Sequence, residues 1–84
     1  MNTITEFKEL IKVAFVGQKI QVAMAHVYEY GYWKGYSVTE YQVYKVNEKS
    51  VLLQNVKWPS EHLMLNDFFM KDGQFKINNY ETLK

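Results

Sequence analysis

Residues 17–30, GQKIQVAMAHVYEY, alternate between two kinds of side chain. Every second position from Ile20 onward points one way, and these residues are Ile20, Val22, Met24, His26, Tyr28 and Tyr30. The intervening positions are Gln21, Ala23, Ala25, Val27 and Glu29. A period of two is typical of a β-strand, because successive side chains point to opposite faces of the sheet. The sequence therefore predicts a long first strand over residues 18–30.

An amphipathic helix is predicted before this strand, over residues 3–15. Apolar side chains recur there at spacings of three and four, which places them on one helical face: Ile4, Phe7, Leu10, Ile11 and Ala14. Thr3 followed three residues later by Glu6 matches a capping box, which satisfies two backbone donors at a helix start. Gly17 suits the left-handed residue that ends a helix.

The chain after the first strand carries more strand patterns. Residues 31–36 contain two glycines and lack clean alternation, so they are predicted to be a connection in which Gly35 serves a bend or bulge. Residues rich in Val and Tyr predict a second strand over 38–46, which pairs with a third over 51–58. Pro59 ends the third strand, because proline lacks a backbone donor.

The last third of the chain allows two interpretations. Residues 63–70 fit either a short helix started by Ser60 or a fourth strand. Strand is favoured because Asp72-Gly73 is a hairpin signal that would pair residues 68–71 with residues 74–77. A fifth strand over 75–78 follows, and the polar tail 79–84 is expected to fray, apart from Tyr80 and Leu83.

The predicted fold class is α+β: an N-terminal amphipathic helix followed by a strongly bent antiparallel sheet of about five strands, as a small barrel or an open sheet. Eighty-four residues are too few for two independent cores, so residues 1–84 are expected to form a single domain. This order resembles SH3-like and Sm-like small barrels over about residues 4–77. The likeness rests on the strand start GQKIQV at 17–22, Gly35 at the bend and the third strand at 51–56.

The resemblance also has a functional implication. Sm-like proteins that bind uridine-rich RNA use an Asn-bearing loop and a later loop with glycine and arginine. Asn47 and Gly73 stand in comparable places, but the chain contains no arginine.

Composition excludes several classes of function. The chain has no cysteine, which removes disulfides, thiolate nucleophiles and cysteine zinc sites and fits a cytoplasmic protein. Its net charge of +1 is far from the basic balance of a general nucleic-acid binder. The first residues are unlike a signal peptide. The sequence contains no run of 18 apolar residues, so no membrane span is predicted.

No residue set predicts catalysis, a metal or a cofactor. His26 and His62 stand 36 positions apart without a metal-binding spacing. Ser37, Ser50 and Ser60 lie outside any Gly-x-Ser-x-Gly turn. We therefore expect a protein that is not an enzyme.

An aromatic concentration stands out in the middle of the chain, because seven of the seventeen residues 28–44 are Tyr or Trp. With one lysine these form the predicted binding site: Tyr28, Tyr30, Tyr32, Trp33, Lys34, Tyr36, Tyr41 and Tyr44. Such rings can be cross-strand pairs that cover the sheet, anchors in a protein interface, or a platform that stacks on bases. For a protein interface, Tyr32 and Trp33 are the expected anchors.

These patterns favour a small non-enzymatic binding protein. Richness in Lys, Asn, Ile and Tyr is typical of AT-rich bacterial or phage genomes. The leading hypothesis is an inhibitor encoded by a phage or mobile element, which occupies a host defence protein or sequesters a small nucleotide signal. The alternative is an Sm-like module that binds single-stranded nucleic acid. Self-association into a homo-oligomer is compatible with either.

Overall fold

The computed structural model describes residues 3–82, which contain two helices and five strands. In chain order these are α1 (Phe7–Val13), β1 (Lys19–Glu29), β2 (Tyr32–Val46), β3 (Val51–Asn55), β4 (His62–Leu65), α2 (Asp67–Met70) and β5 (Phe75–Tyr80). The strands form one antiparallel sheet in the order β4-β3-β2-β1-β5. Within residues 3–82 the outer strands β4 and β5 do not pair, so the sheet is open. The α+β class, the five-stranded antiparallel sheet and the preceding short helix are confirmed.

The hydrophobic core lies on one face of the sheet. α1 contributes Phe7 and Leu10 to it, at the three-residue spacing of a helical face. Alternate residues of the strands supply most of the rest: Ile20, Val22, Tyr41, Val43, Val51, Leu53, Leu65, Phe75 and Ile77. Because each fully buried large aliphatic side chain contributes about 1.5–3 kcal/mol, this single cluster is the main source of stability.

The helix is shorter than the predicted range 3–15, and the predicted capping box does not form. Glu6, not Thr3, is the residue at the N-cap, and its side chain makes no capping hydrogen bond. Ile4 instead pairs with Ile77, and the two residues exchange backbone hydrogen bonds of 2.8 Å. These two hydrogen bonds to β5, together with burial of the Ile4 side chain, stabilise the extended conformation of this segment more than a capping box would stabilise a longer helix. Gly17 is left-handed at φ 93°, but it lies four residues beyond the helix, in the turn into β1.

The predicted connection over residues 31–36 is wrong, because β2 begins at Tyr32 and runs without a break to Val46. The chain reverses in two residues, Tyr30 and Gly31, with φ of 53° and 84°. Positive φ at both central positions is what a type I′ hairpin turn requires. Tyr-Gly is not the usual sequence of such a turn, and Gly35, at φ 74°, interrupts the alternation that would reveal the strand.

The favoured strand over 63–70 is correct only in its first half. β4 ends at Leu65, and Asn66 then caps α2 by accepting a 2.8 Å hydrogen bond from the Phe69 N–H. Asparagine is among the strongest N-cap residues, so the cap favours a helical turn over an extended strand. The hairpin predicted at Asp72-Gly73 does not form, because the residues before it are helical and β5 pairs with β1 instead.

The remaining boundaries differ by a few residues. The third strand ends at Asn55 rather than at residue 58, because the Asn55 side chain turns the chain by accepting from the next amides. β5 continues to Tyr80, and the Glu81 N–H donates to the Lys19 carbonyl at 3.1 Å. The prediction that the tail frays from residue 79 onward is therefore wrong for residues 79–81, which pair with β1. Leu83 and Lys84 lie outside the described residues.

Candidate functional site

The distal part of the β1–β2 hairpin projects beyond the rest of the sheet. On one side, the pairing of β5 with β1 stops at Met24, opposite Phe75. On the other, the pairing of β3 with β2 stops at Tyr41, opposite Asn55. We call residues 26–39 the arm: residues 26–35 form a two-stranded ribbon, and residues 36–39 pair with β1 but not with β3. The arm contributes to the elongated 40 × 27 × 24 Å shape of the protein.

Specific side-chain contacts hold the arm, because a two-stranded hairpin alone is only marginally stable. Tyr28 lies opposite Trp33, and their rings meet edge to face with centroids 4.8 Å apart. Lys34 forms a 2.9 Å ion pair with Glu29 across the hairpin. The Trp33 indole N–H donates to the Asp72 carbonyl at 3.1 Å, which ties the arm to the turn before β5.

The arm has two aromatic faces. Residues directly opposite each other share a face, so Tyr28 and Trp33 lie on the inner face, the side that carries the core farther along the sheet. The outer face carries Val27, Glu29, Tyr32, Lys34, Tyr36 and Val38. Next to it on β5, the Lys76 ammonium lies 4.7 Å from the Tyr36 ring centroid, a cation–π contact. The tip residue Tyr30 is 89% exposed.

The arm brings six of the eight predicted site residues together. These are Tyr28, Tyr30, Tyr32, Trp33, Lys34 and Tyr36. Trp33 is half-buried against the Asp72 turn, so its contacts within the chain already use part of the ring. Tyr32 is more than half exposed and remains the better placed of the two expected anchors.

The other two predicted residues lie away from the arm. Tyr41 is buried in the core, and this burial, together with the nearby Glu61 carboxylate, raises the pKa of its phenol. Its ring cannot contact a partner, so we leave it out of the site. Tyr44 is exposed farther along β2, where its ring lies 5.2 Å from the His62 ring.

Three exposed aromatic residues were not predicted as part of a site. Phe68 and Phe69 lie on α2, with Phe68 76% exposed, and the two rings make an edge contact at 5.7 Å. Trp58 lies in the loop after β3 and is also exposed. The adjacent pair Phe68-Phe69 after an Asn cap was the available signal for a surface helix, since a strand would have buried one ring of the pair.

A cleft of about 520 Å³ opens where β3 ends and the arm begins. It is lined by Val38, Thr39, Glu40, Asn55, Val56, Lys57, Trp58 and Glu61. Asn55 builds its wall: the Oδ1 atom accepts from the amides of Lys57 and Trp58 at 2.8 and 3.0 Å, and Nδ2 donates to Glu61 at 3.2 Å. The cleft therefore combines an indole ring with two carboxylates and one lysine.

The histidines are not part of a shared site. His26 is exposed on β1, His62 is exposed on β4, and two strands of the sheet separate them. Over residues 3–82, no group of three His, Asp or Glu side chains is arranged to hold a metal ion. The same residues contain no helix that is long and apolar enough to cross a bilayer.

Comparisons with known proteins add no functional information. No protein-family model matches the chain, and neither a curated protein nor a solved structure is significantly similar to it. A function has to be inferred from the arm and the surfaces beside it.

Proposed function

We propose that this chain is a non-enzymatic binding protein that holds a partner protein through the faces of its arm. One observation carries the proposal. Six large apolar or aromatic side chains, each 40–89% exposed, are concentrated on this single hairpin: Val27, Tyr28, Tyr30, Tyr32, Tyr36 and Val38. Scattered exposed apolar residues are ordinary, but a contiguous group of them marks an interaction surface.

The chemistry of the outer face favours a protein as the partner. The outer face carries Tyr32, Tyr36 and Val38, with Lys34 between the two tyrosines and paired with Glu29, and with Lys76 on the Tyr36 ring. Protein interfaces combine such aromatic and apolar contact area with polar groups. Tyrosine provides a large contact area with few rotatable bonds, so little entropy is lost when its ring is fixed.

The inner face extends the same surface toward α2. Trp33 contacts the turn at Asp72. The exposed rings of Phe68 and Phe69 lie on α2, which precedes that turn in the chain. A partner that wraps around the arm would therefore contact aromatic side chains on both faces. We propose the inhibitor role on this basis: a cytoplasmic protein, encoded by a phage or mobile element, that blocks a host protein by occupying its surface. Sequestration of a small nucleotide between these rings is the variant of this role with a smaller ligand.

Single-stranded nucleic acid is the second candidate. The succession of a helix and five antiparallel strands supports the likeness to SH3-like and Sm-like barrels. Two ring and cation pairs, Trp58 with Lys57 and Tyr36 with Lys76, combine what stacking on bases and contact with phosphate require. The absence of arginine and the net charge of +1 count against it. Ile4 also occupies backbone groups on the outer edge of β5, an edge that a ring of Sm-like barrels would need.

The test compares two tyrosines of the same strand that are equally exposed. Tyr36 on the arm is 40% exposed, and Tyr44 on the same strand outside the arm is 41% exposed. Tagged wild type, Tyr36→Ser and Tyr44→Ser are used to capture partners from host lysate. A partner held by the arm should be lost or weakened at least about tenfold with Tyr36→Ser and retained with Tyr44→Ser.

Two outcomes contradict the proposal. Equal capture by both variants would remove the arm from the interface. A shift of single-stranded RNA or DNA by the purified protein, lost with Tyr36→Ser and absent at moderate salt, would favour the nucleic-acid candidate instead.

A further inference from the structure

The cleft at the end of β3 is bounded by a loop that several hydrogen bonds hold in place. The Asn55 N–H donates to the Glu61 carbonyl and the Glu61 N–H donates to the Trp58 carbonyl, each at 2.9 Å. The Gln54 Nε2 donates to the Pro59 carbonyl, also at 2.9 Å. The buried Asn55 side chain accepts from the Trp58 amide and donates to the Glu61 carboxylate. Trp58 and Glu61 are therefore held near each other in the wall of the cleft before any ligand binds.

The cleft is rich in groups that attract a positive charge. Its lining includes two carboxylates, Glu40 and Glu61, and the exposed indole of Trp58. Within residues 3–82, neither carboxylate forms an ion pair. Lys57, which also lines the cleft, places its ammonium over the Trp58 ring instead, 5.8 Å from the centroid. Two carboxylates and one ammonium give the lining a net negative charge.

The contact between Lys57 and Trp58 shows that a cation fits on this ring and that the contact is weak. A cation–π contact extends to about 6 Å from the ring centroid, so 5.8 Å is near its limit. Such a contact contributes little at an exposed site, whereas a hydrogen bond between a cation and a carboxylate is among the strong ones. A cation that contacts the ring and a carboxylate together would therefore bind better than Lys57 does.

A guanidinium group meets both requirements. It is planar, so its face stacks on an indole while its edge donates two parallel N–H bonds to a carboxylate. An ammonium is a compact, strongly hydrated charge, and Lys57 uses the ring alone although both carboxylates line the same cleft. The chain contains no arginine, so the guanidinium has to come from another molecule. The cleft volume of about 520 Å³ lies within the roughly 300–1,000 Å³ of ligand pockets and admits a whole side chain.

We propose that this cleft binds the guanidinium group of an arginine side chain that belongs to a partner protein. The group stacks on Trp58 and donates two hydrogen bonds to the Glu61 carboxylate. Glu40, on β2, adds a second negative charge. Lys57 leaves the indole when the arginine enters. Asn55 is a positioning residue, because it acts through Trp58 and Glu61.

The cleft adjoins the surface that the arm offers to a partner. Val38 belongs to the outer face of the arm and also lines the cleft. The source of the arginine rests on the proposed function, since a protein held by the arm has its own surface beside the cleft. Binding of arginine by the cleft itself is measured without that partner, so the two proposals fail separately.

The test titrates isotope-labelled protein with N-acetyl-arginine amide and follows the indole N–H signals by NMR. The chain has two tryptophans, and the variant Trp33→Phe assigns their signals. The Trp58 signal should shift to saturation with a Kd of about 1–10 mM, as one stacked ring and one ion pair allow. N-acetyl-citrulline amide has nearly the same shape without the charge and should give no saturable shift. N-acetyl-lysine amide should bind at least about threefold more weakly.

Three variants test the roles of the cleft residues. Glu61→Gln keeps the size of the side chain and removes its charge, so it should weaken binding of N-acetyl-arginine amide at least about fivefold. Lys57→Gln removes the competing ammonium and should tighten binding about two- to threefold. Glu48→Gln, which changes an exposed carboxylate between β2 and β3, is the matched control and should have no effect. Loss of folding does not explain a gain of affinity in Lys57→Gln.

Three outcomes would overturn the proposal. These are equal shifts with the arginine and citrulline derivatives, unchanged binding in Glu61→Gln, and weaker binding in Lys57→Gln. The sign of the Lys57→Gln effect also separates this cleft from a nucleic-acid site, because loss of a lysine weakens contact with phosphate.

The capture experiment tests whether the arginine belongs to the partner of the arm. Glu61→Gln should reduce retention of that partner at least about fivefold, and Glu48→Gln should retain it fully. Equal retention by these two variants would overturn the assignment of the arginine to that protein. If Tyr36→Ser retains the partner while the cleft binds the arginine derivative, the arm proposal fails and the cleft stands.

Discussion

At the scale of single residues, Trp33 holds the arm against the turn before β5. Its indole N–H donates to Asp72, and its ring meets Tyr28. Trp33→Phe keeps an aromatic ring but removes the donor and part of the indole. Because a hydrogen bond of this kind contributes about 0.5–1.5 kcal/mol, the variant should open the arm more often. Amides of residues 26–36 should exchange with deuterium several-fold faster, while amides of the core strands keep their protection. Uniformly faster exchange would show a global effect instead.

Tyr41 makes stability depend on pH in the alkaline range. Burial, and then the Glu61 carboxylate, raise the pKa of its phenol above the ordinary value of 10.0. The folded protein therefore retains a proton that the unfolded chain loses. By linkage, the contribution of Tyr41 to stability is complete below pH 10 and is lost as the pH rises from there through the folded pKa.

The variant Tyr41→Phe isolates this effect. It removes the titrating group and keeps the ring, so its urea midpoint should fall less between pH 9 and pH 11 than the wild-type midpoint does. Every other side chain is common to the two proteins, so its contribution cancels in the difference. A parallel decline of the two curves would show that Tyr41 does not cause the alkaline loss of stability.

At the scale of elements, the arm turn combines a local energetic cost with an exposed ring. Tyr30 has φ 53°, which costs a non-glycine residue about 1–2 kcal/mol. Tyr30→Asn keeps the turn and introduces the residue type that type I′ turns prefer. We expect this variant to raise the free energy of unfolding by about 1 kcal/mol in urea titrations. A variant that is less stable than wild type would show that the Tyr30 ring supports the fold itself.

The same elements show which part of the fold can be read from sequence. β1 was predicted to within one residue at each end, because a period of two is local information. The start of α1 was missed because Ile4 pairs with Ile77, and no local pattern records a partner 73 positions away. Of the site, the aromatic cluster was predictable, but its division between an exposed arm and a buried Tyr41 depends on where β3 ends. Phe68 and Trp58 were missed because their exposure follows from an Asn cap and an Asn turn.

At the scale of the whole molecule, charge separates the two candidate functions. The chain is nearly neutral, and three lysines, Lys34, Lys57 and Lys76, lie beside exposed rings. If all three contacted phosphates of a single strand, a plot of log Kd against the logarithm of the salt concentration would have a slope of about 2, since each contact contributes about 0.7. Raising the salt from 50 to 200 mM would then weaken binding about twentyfold. A partner protein held by the apolar centre of the arm should lose only about twofold over the same range, because burial of apolar surface is insensitive to moderate salt.

Fluorescence polarisation with a labelled single-stranded RNA, and the same titration with a captured partner protein, would measure both slopes. The mostly uncharged surface of the arm leads us to expect RNA binding too weak to measure at 200 mM salt and partner binding that persists there. Strong, steeply salt-dependent RNA binding that Lys76→Gln and Lys57→Gln each reduce would assign the exposed rings to stacking on bases. A shallow slope for the partner protein, unaffected by either lysine variant and abolished by Tyr36→Ser, would assign them to the protein interface.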